Sequence, residues 1–200
     1  VNTKFAAWLD KTYGDEKIGR VKAVRGKIHD FLGMTLDYTE KGVVKIDMKD
    51  YVNQMIEEFP EELKGQKTCP WTERLFKIDP NGKTLPKQKA ENFHTFVAKG
   101  LFLAKRGRPD ILPAIAFLAT RTKEPMEADW KKLSRMMDFL KRTRQDVLRL
   151  EADMSRKLQW HLDASFAVHQ DMKSHTGAAL SLGRGAVISL SNKQKIYTRS

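Results

Sequence analysis

Apolar residues change their spacing at about residue 143, and this switch constrains the fold more than any other feature of the chain. Between residues 91 and 142 they recur every three or four positions: Phe93, Phe96, Val97, Leu101 and Phe102 form one stripe, and Trp130, Leu133, Met137 and Leu140 form another. Beyond it they recur every second position, with Leu158, Trp160 and Leu162 alternating with Gln159, His161 and Asp163. A helix buries a stripe and a strand buries a face. Helices and strands gathered in separate runs imply an α+β fold.

The remaining elements follow from local chemistry. Val1, Phe5, Trp8 and Leu9 share one face of a helix over residues 1–13 that Gly14 ends. A basic connector, KIGRVKAVRG, leads into DFLGMTLDYTEKGVVKIDM, where Glu40-Lys41-Gly42 turns a β-hairpin. Tyr51, Val52, Met55, Ile56 and Phe59 predict a helix closed by Pro60. Residues 61–90 contain Pro70, Pro80, Gly82 and Pro86, lack periodicity and read as an irregular linker. Gly107-Arg108-Pro109 breaks the helix after residue 91, Asp110 suits an N-cap for an apolar helix to about Thr120, and a third helix starts near Met126. After the period change, turns at Gln170–Ser174 and Gly183–Gly185 predict a three-stranded antiparallel meander, with Trp160 and Leu162 on its buried face. Such a sheet exposes an apolar face and an open edge unless something covers it.

Charge points to a partner. The net charge is +12, and residues 49–150 carry 21 basic against 14 acidic side chains, an excess of +7, compared with +2 before them and +3 after. Clustered cations raise affinity for phosphate backbones by releasing counterions. No apolar run approaches the roughly eighteen residues of a membrane span, and the start lacks a signal-peptide layout. The single cysteine, Cys69, has no second thiol for an internal disulfide or a zinc site, as expected in a reducing compartment.

Three blocks carry a resemblance. The run RPDILPAIAFLATRTKEPMEADWKKLSRMMDFLKRT resembles the segment that follows the polymerase active site in copia-type retrotransposon polyproteins. Upstream, FLGM is similar to the strand after the polymerase carboxylates in those proteins. Downstream, DASFAVHQDMKSHTGAALSLGRG and ISLSNKQK resemble the opening of their ribonuclease H domain. Order and spacing match, and the resemblance covers nearly the whole chain. It implies the end of a reverse transcriptase palm with a primer-grip-like hairpin in residues 1–48, a helical thumb and connection region in 49–145, and the first strands of a ribonuclease H-like domain in 146–200. The family's Tyr-Val-Asp-Asp polymerase motif and the Glu-Ala-Glu start of its ribonuclease H helix are not among these residues. The resemblance therefore implies a fragment, inactive alone, of an RNA-directed DNA polymerase with ribonuclease H.

The same resemblance assigns roles. Asp163 becomes a catalytic carboxylate and a ligand of Mg²⁺, because two-metal phosphodiester hydrolysis needs several converging carboxylates. Gly33, Met34 and Thr35 would steady the primer, and Asn53 and Gln54 would face a minor groove. Lys99, Lys105, Arg106, Arg108, Lys131, Lys132, Arg135 and Arg142, with Lys141 and Arg144, would meet phosphates. The implied partners are an RNA/DNA template–primer and the rest of the polyprotein, with no membrane, in the cytoplasm, a virus-like particle or the nucleus.

Plainer readings stand beside these. Asp163 can be a solvated strand residue, the hairpin an edge with Met34 in the core, the Asp50–Phe59 segment an ordinary surface helix, and the cations solvated faces. Asp163-Ala164-Ser165 lacks the glycine and the second copy of an aspartic protease motif. His161, His169 and His175 with Ser174 show no triad spacing and read as polar turn residues. A different class of protein also fits: a non-catalytic, basic nucleic-acid-binding or interaction protein left by a degenerate element.

Overall fold

The computed structural model describes residues 2–15, 17 and 19–196. Its architecture is α+β, with an antiparallel five-stranded sheet, an antiparallel three-stranded sheet and a helical body that holds the core. The first helix, Asn2–Tyr13 (α1), forms where apolar spacing predicts it, with Val1 lying outside the described residues. It buries none of its residues, and Phe5 and Trp8 stack on each other in solvent.

The predicted hairpin is present and gains a strand. Ile28–Phe31 (β1), Met34–Asp37 (β2) and Val43–Asp47 (β3) form an antiparallel meander in which Thr35 faces Asp47 and Asp37 faces Lys45. Leu32 and Gly33 both take positive φ, 50° and 72°, the backbone that a two-residue turn between twisted strands requires. Leu148–Ala152 (β4) then pairs with the free edge of β3, opposing Leu150 to Val44. Arg149 of β4 reaches Glu40 in the β2–β3 turn through two bonds of 2.7 and 2.5 Å and holds that carboxyl down at about 2. One sheet thus joins residues 28–47 to residues 148–152.

Four helices make the body: Lys49–Glu58 (α2), Lys87–Ala104 (α3), Leu112–Ala119 (α4) and Glu127–Arg142 (α5). Their stripes interlock, with Phe93, Ile115, Leu133 and Leu140 all at 0% exposure. Gly100 lets α3 approach α4 closely, since a Cβ there would lie 2.7 Å from Cδ1 of Ile115. Asp110 does not cap a helix. Pro109–Ile111 is a short 3₁₀ turn without a side-chain cap, and the Asp110 carboxylate instead receives the guanidinium of Arg108. At α5 the capping carboxylate is Asp129, which accepts the N–H of Met126 at 3.0 Å.

Residues 61–86 are not a linker. Leu63, Leu75 and Leu85 are buried in the core, and the backbone N–H groups of Lys64, Gly65, Gln66 and Lys67 all donate to the carboxylate of Asp138 at 2.6 to 2.9 Å. These four bonds hold Asp138 below the usual carboxylate range against the opposing effect of its burial. They also pin the loop across α5.

The meander forms as expected, from Gln159–Ser165 (β5), His175–Ser181 (β6) and Ala186–Lys193 (β8), in the order β5-β6-β8. Between β6 and β8, Gly183–Arg184 (β7) pairs with β4 and ties the meander to the larger sheet. The burial of the meander departs from the alternation. Trp160 and Leu162 are 51% and 72% exposed. The opposite face, with His175 and Ser191, turns instead toward α4 and the 71–76 loop, where both residues are buried. Burying hydroxyls and imidazoles in preference to Trp160 works only because those polar groups bond to one another.

Candidate functional site

Asp163 sits at the middle of β5. The register places Asp163, Gly177 and Ser191 in one row across the three strands, so Asp163 shares the inward face with His175 and Ser191. That face borders a cleft of about 620 Å³ whose other wall includes Trp71, Glu73, Phe76 and Pro109. Asp163 is exposed there, and its Oδ1 accepts the N–H of Ala164 at 2.9 Å. Glu73 also lines the cleft, a carboxylate that sequence reasoning passed over because it lies in an aperiodic stretch. Among the described residues no three His, Cys, Asp or Glu side chains converge as a metal site would need. The donors present therefore do not fit a magnesium pair.

Behind the cleft lies a polar network, and it corrects the reading of the histidines as turn residues. His169 Nε2 and His175 Nδ1 are 3.1 Å apart, and His175 Nε2 lies 2.7 Å from Ser191 Oγ. All three residues are buried, and Phe76 packs against both imidazoles with centroids 4.7 and 4.8 Å away. Burial pushes His175 down to about 4, with His169 adding a smaller push the same way, so the ring is neutral at pH 7. His169 is also lowered, by burial first and then by Lys193. The serine in the network is Ser191, whereas Ser174 accepts the N–H of Ala167 and His161 is exposed. Period-two spacing contains this information only once the β6–β8 register is known.

The hairpin residues do converge. Gly33, Met34, Thr35 and Gln54 line a second cleft, of about 570 Å³, between the β1–β2 turn and α2. Its walls carry Asp30, Asp47 and Asp50; Thr35 donates to Asp30 at 2.8 Å and Lys49 pairs with Asp47 at 2.9 Å. Met34 packs partly against the core. Asn53 is half-buried on α2 and does not line this cleft. Lys49 neutralises one of these three carboxylates, so the lining keeps a net negative charge.

The cations are spread over several structural duties. Arg108 is 3% exposed, and its guanidinium binds Asp110 and both the carbonyl and the hydroxyl of Thr143, so it braces α5 from within and cannot reach a phosphate. Lys99 pairs with Glu58. Arg106 lies over the ring of Phe102, 3.8 Å from its centroid. Lys105 reaches the carbonyl of Ser189 at 3.4 Å, and Lys141 donates to that of Leu63. Lys132 donates to the carbonyl of Lys77 at 2.6 Å, and burial lowers its affinity for a proton. Lys131, Arg142 and Arg144 are exposed. Among the described residues no helix is long and apolar enough to cross a membrane.

No family model matches the chain, and no solved structure does. Among curated proteins it is similar to a Saccharomyces cerevisiae protein described as a transposon Ty5-1 protein, with 24% identity over 172 residues. That match covers 84% of this chain and 54% of the yeast protein, so the chain spans about half the length of the relative it matches. The likeness supports a retrotransposon-derived protein.

Proposed function

We propose that this chain is the part of a retrotransposon reverse transcriptase that grips the template–primer and leads into the ribonuclease H. The observation that carries the reading is a likeness to a transposon protein over 84% of the chain, joined to the placing of Asp163 on the wall of an open cleft. In this reading the helical body and the hairpin bind an RNA/DNA duplex, and Asp163 contributes one carboxylate to a Mg²⁺ site that other carboxylates of a longer polyprotein complete. RNA-directed DNA synthesis and RNA-strand cleavage belong to that longer protein. It would work in the cytoplasm, a virus-like particle or the nucleus.

Asp163 has a direct test. In a longer reading frame that contains this chain, Asp163→Asn abolishes cleavage of the RNA strand of a hybrid and spares DNA synthesis. Retained cleavage overturns the assignment. A second reading, a non-catalytic nucleic-acid-binding remnant of a degenerate element, draws on the net charge of +12 and needs no metal. Sequencing outward separates the two: Tyr-Val-Asp-Asp upstream and Glu-Ala-Glu downstream support the enzyme, and stop codons support the remnant.

A further inference from the structure

The loop pinned by Asp138 does more than cover α5. Along that helix Lys131, Arg135 and Asp138 stand at offsets of 0, 4 and 7 and so share one face. Because Asp138 accepts four backbone N–H groups from residues 64–67, the loop is held over the same face, with exposed Lys64 and Lys67 at either end of the nest. The result is a cleft of about 630 Å³ walled by Lys64 and Lys67 on the loop and by Lys131 and Arg135 on the helix.

Two details show what this cleft lacks. The Nε of Arg135 is buried and meets no acceptor among the described residues, although a buried guanidinium donor left unpaired costs free energy. Of the four carboxylates that line the cleft, three are already engaged: Asp138 is filled by its four N–H donors, Glu61 accepts the indole N–H of Trp130 at 2.6 Å, and Glu127 pairs with Lys89 at 3.3 Å. Lys64, Lys67, Lys131 and Arg135 therefore line a cleft in which, among the described residues, Glu62 is the one carboxylate not already engaged.

We propose that this cleft binds phosphodiester groups of a nucleic acid strand, with the Arg135 guanidinium, Lys64, Lys67 and Lys131 supplying positive charge in excess of the single unengaged carboxylate, Glu62. The proposal rests on the template–primer reading and locates one contact of it. It assigns phosphate binding to Lys64 and Lys67, in a stretch that lacks periodicity, and to only two of the helical cations that charge alone would nominate.

The test uses the full chain with two probes. A short RNA–DNA hybrid is titrated at several salt concentrations against the parent chain, Lys64→Gln/Lys67→Gln, and a control, Lys4→Gln/Lys22→Gln, whose lysines are exposed and lie outside the cleft. Neutralising the two cleft lysines lowers the log–log salt slope by about 2, one per lost phosphate contact, and the control leaves it unchanged. Inorganic pyrophosphate is titrated separately while the Arg135 Nε–H resonance is followed, and that signal shifts. A hybrid that binds Lys64→Gln/Lys67→Gln with the parent slope overturns the cleft and leaves the template–primer reading standing. A pyrophosphate-responsive Arg135 in a chain that ignores hybrid keeps the anion site and removes that reading. An Arg135 signal that pyrophosphate does not move overturns the site.

Discussion

Single buried polar residues set much of this protein's behaviour. His175 illustrates the sign of the effect. Its ordinary value is 6.5 and its folded value about 4, so below pH 6.5 the unfolded chain takes up a proton that the folded one refuses. The stabilisation is complete above about pH 6.5 and is lost as pH falls toward 4. The groups facing His175 are His169, Ser191 and Phe76, with the Lys193–Asp171 pair beside His169. Between pH 7 and pH 5 the loss amounts to about 2 kcal/mol. Urea denaturation at the two pH values should show it as a lowered midpoint, and His175→Gln should lower the midpoint at pH 7 and flatten its pH dependence. An unchanged parent midpoint would count against the network. None of this was legible in the sequence, because Ser191 meets His175 only after β6 and β8 have paired. Arg108 teaches the same lesson from the other side: its charge drew attention as a phosphate contact, but a buried guanidinium saturated by Asp110 and Thr143 has no donor to spare.

At the scale of elements, local periodicity was a sound guide where the element is amphipathic and its partner is adjacent. The stripes of α3 and α5, the β2–β3 hairpin and the alternation of the meander were all visible. Pairings between distant residues were not. Strand β4 carries only Leu148 and Leu150 among polar neighbours, and its partner β3 lies a hundred residues upstream. The order of residues 61–86 depends on Asp138, more than seventy positions away from the N–H groups it binds. The α3–α4 crossing offers a sharper check. Gly100→Ala should destabilise the protein by about 1–2 kcal/mol, since overpacking against fully buried Ile115 exceeds the gain in helix propensity of about 1 kcal/mol. Ile115→Val, which removes the clashing Cδ1, should recover part of that loss in the double variant. Thermal or urea unfolding of the four proteins measures the coupling, and strict additivity would show that the two helices do not meet at Gly100.

For the molecule as a whole, two surfaces await explanation by function rather than by stability. The apolar face of the meander, with Trp160, Leu162 and Ile188, lies in solvent, and α1 shows Phe5, Trp8 and Tyr13 there as well. Contiguous exposed apolar faces mark surfaces that meet another molecule or segment more often than scattered exposed residues do. The second surface is the basic one. Its charge excess was plain from composition, yet the fold commits Arg108, Lys99 and Lys132 to internal partners and gathers Lys64, Lys67, Lys131 and Arg135 around one cleft. The claim that this chain holds nucleic acid is tested most directly by measuring its affinity for unrelated RNA–DNA hybrids from about 50 to 200 mM salt. Binding indifferent to sequence, with log K falling linearly and steeply against log salt, is the predicted result. An affinity that stays constant across that range, or no binding at its low end, would contradict it.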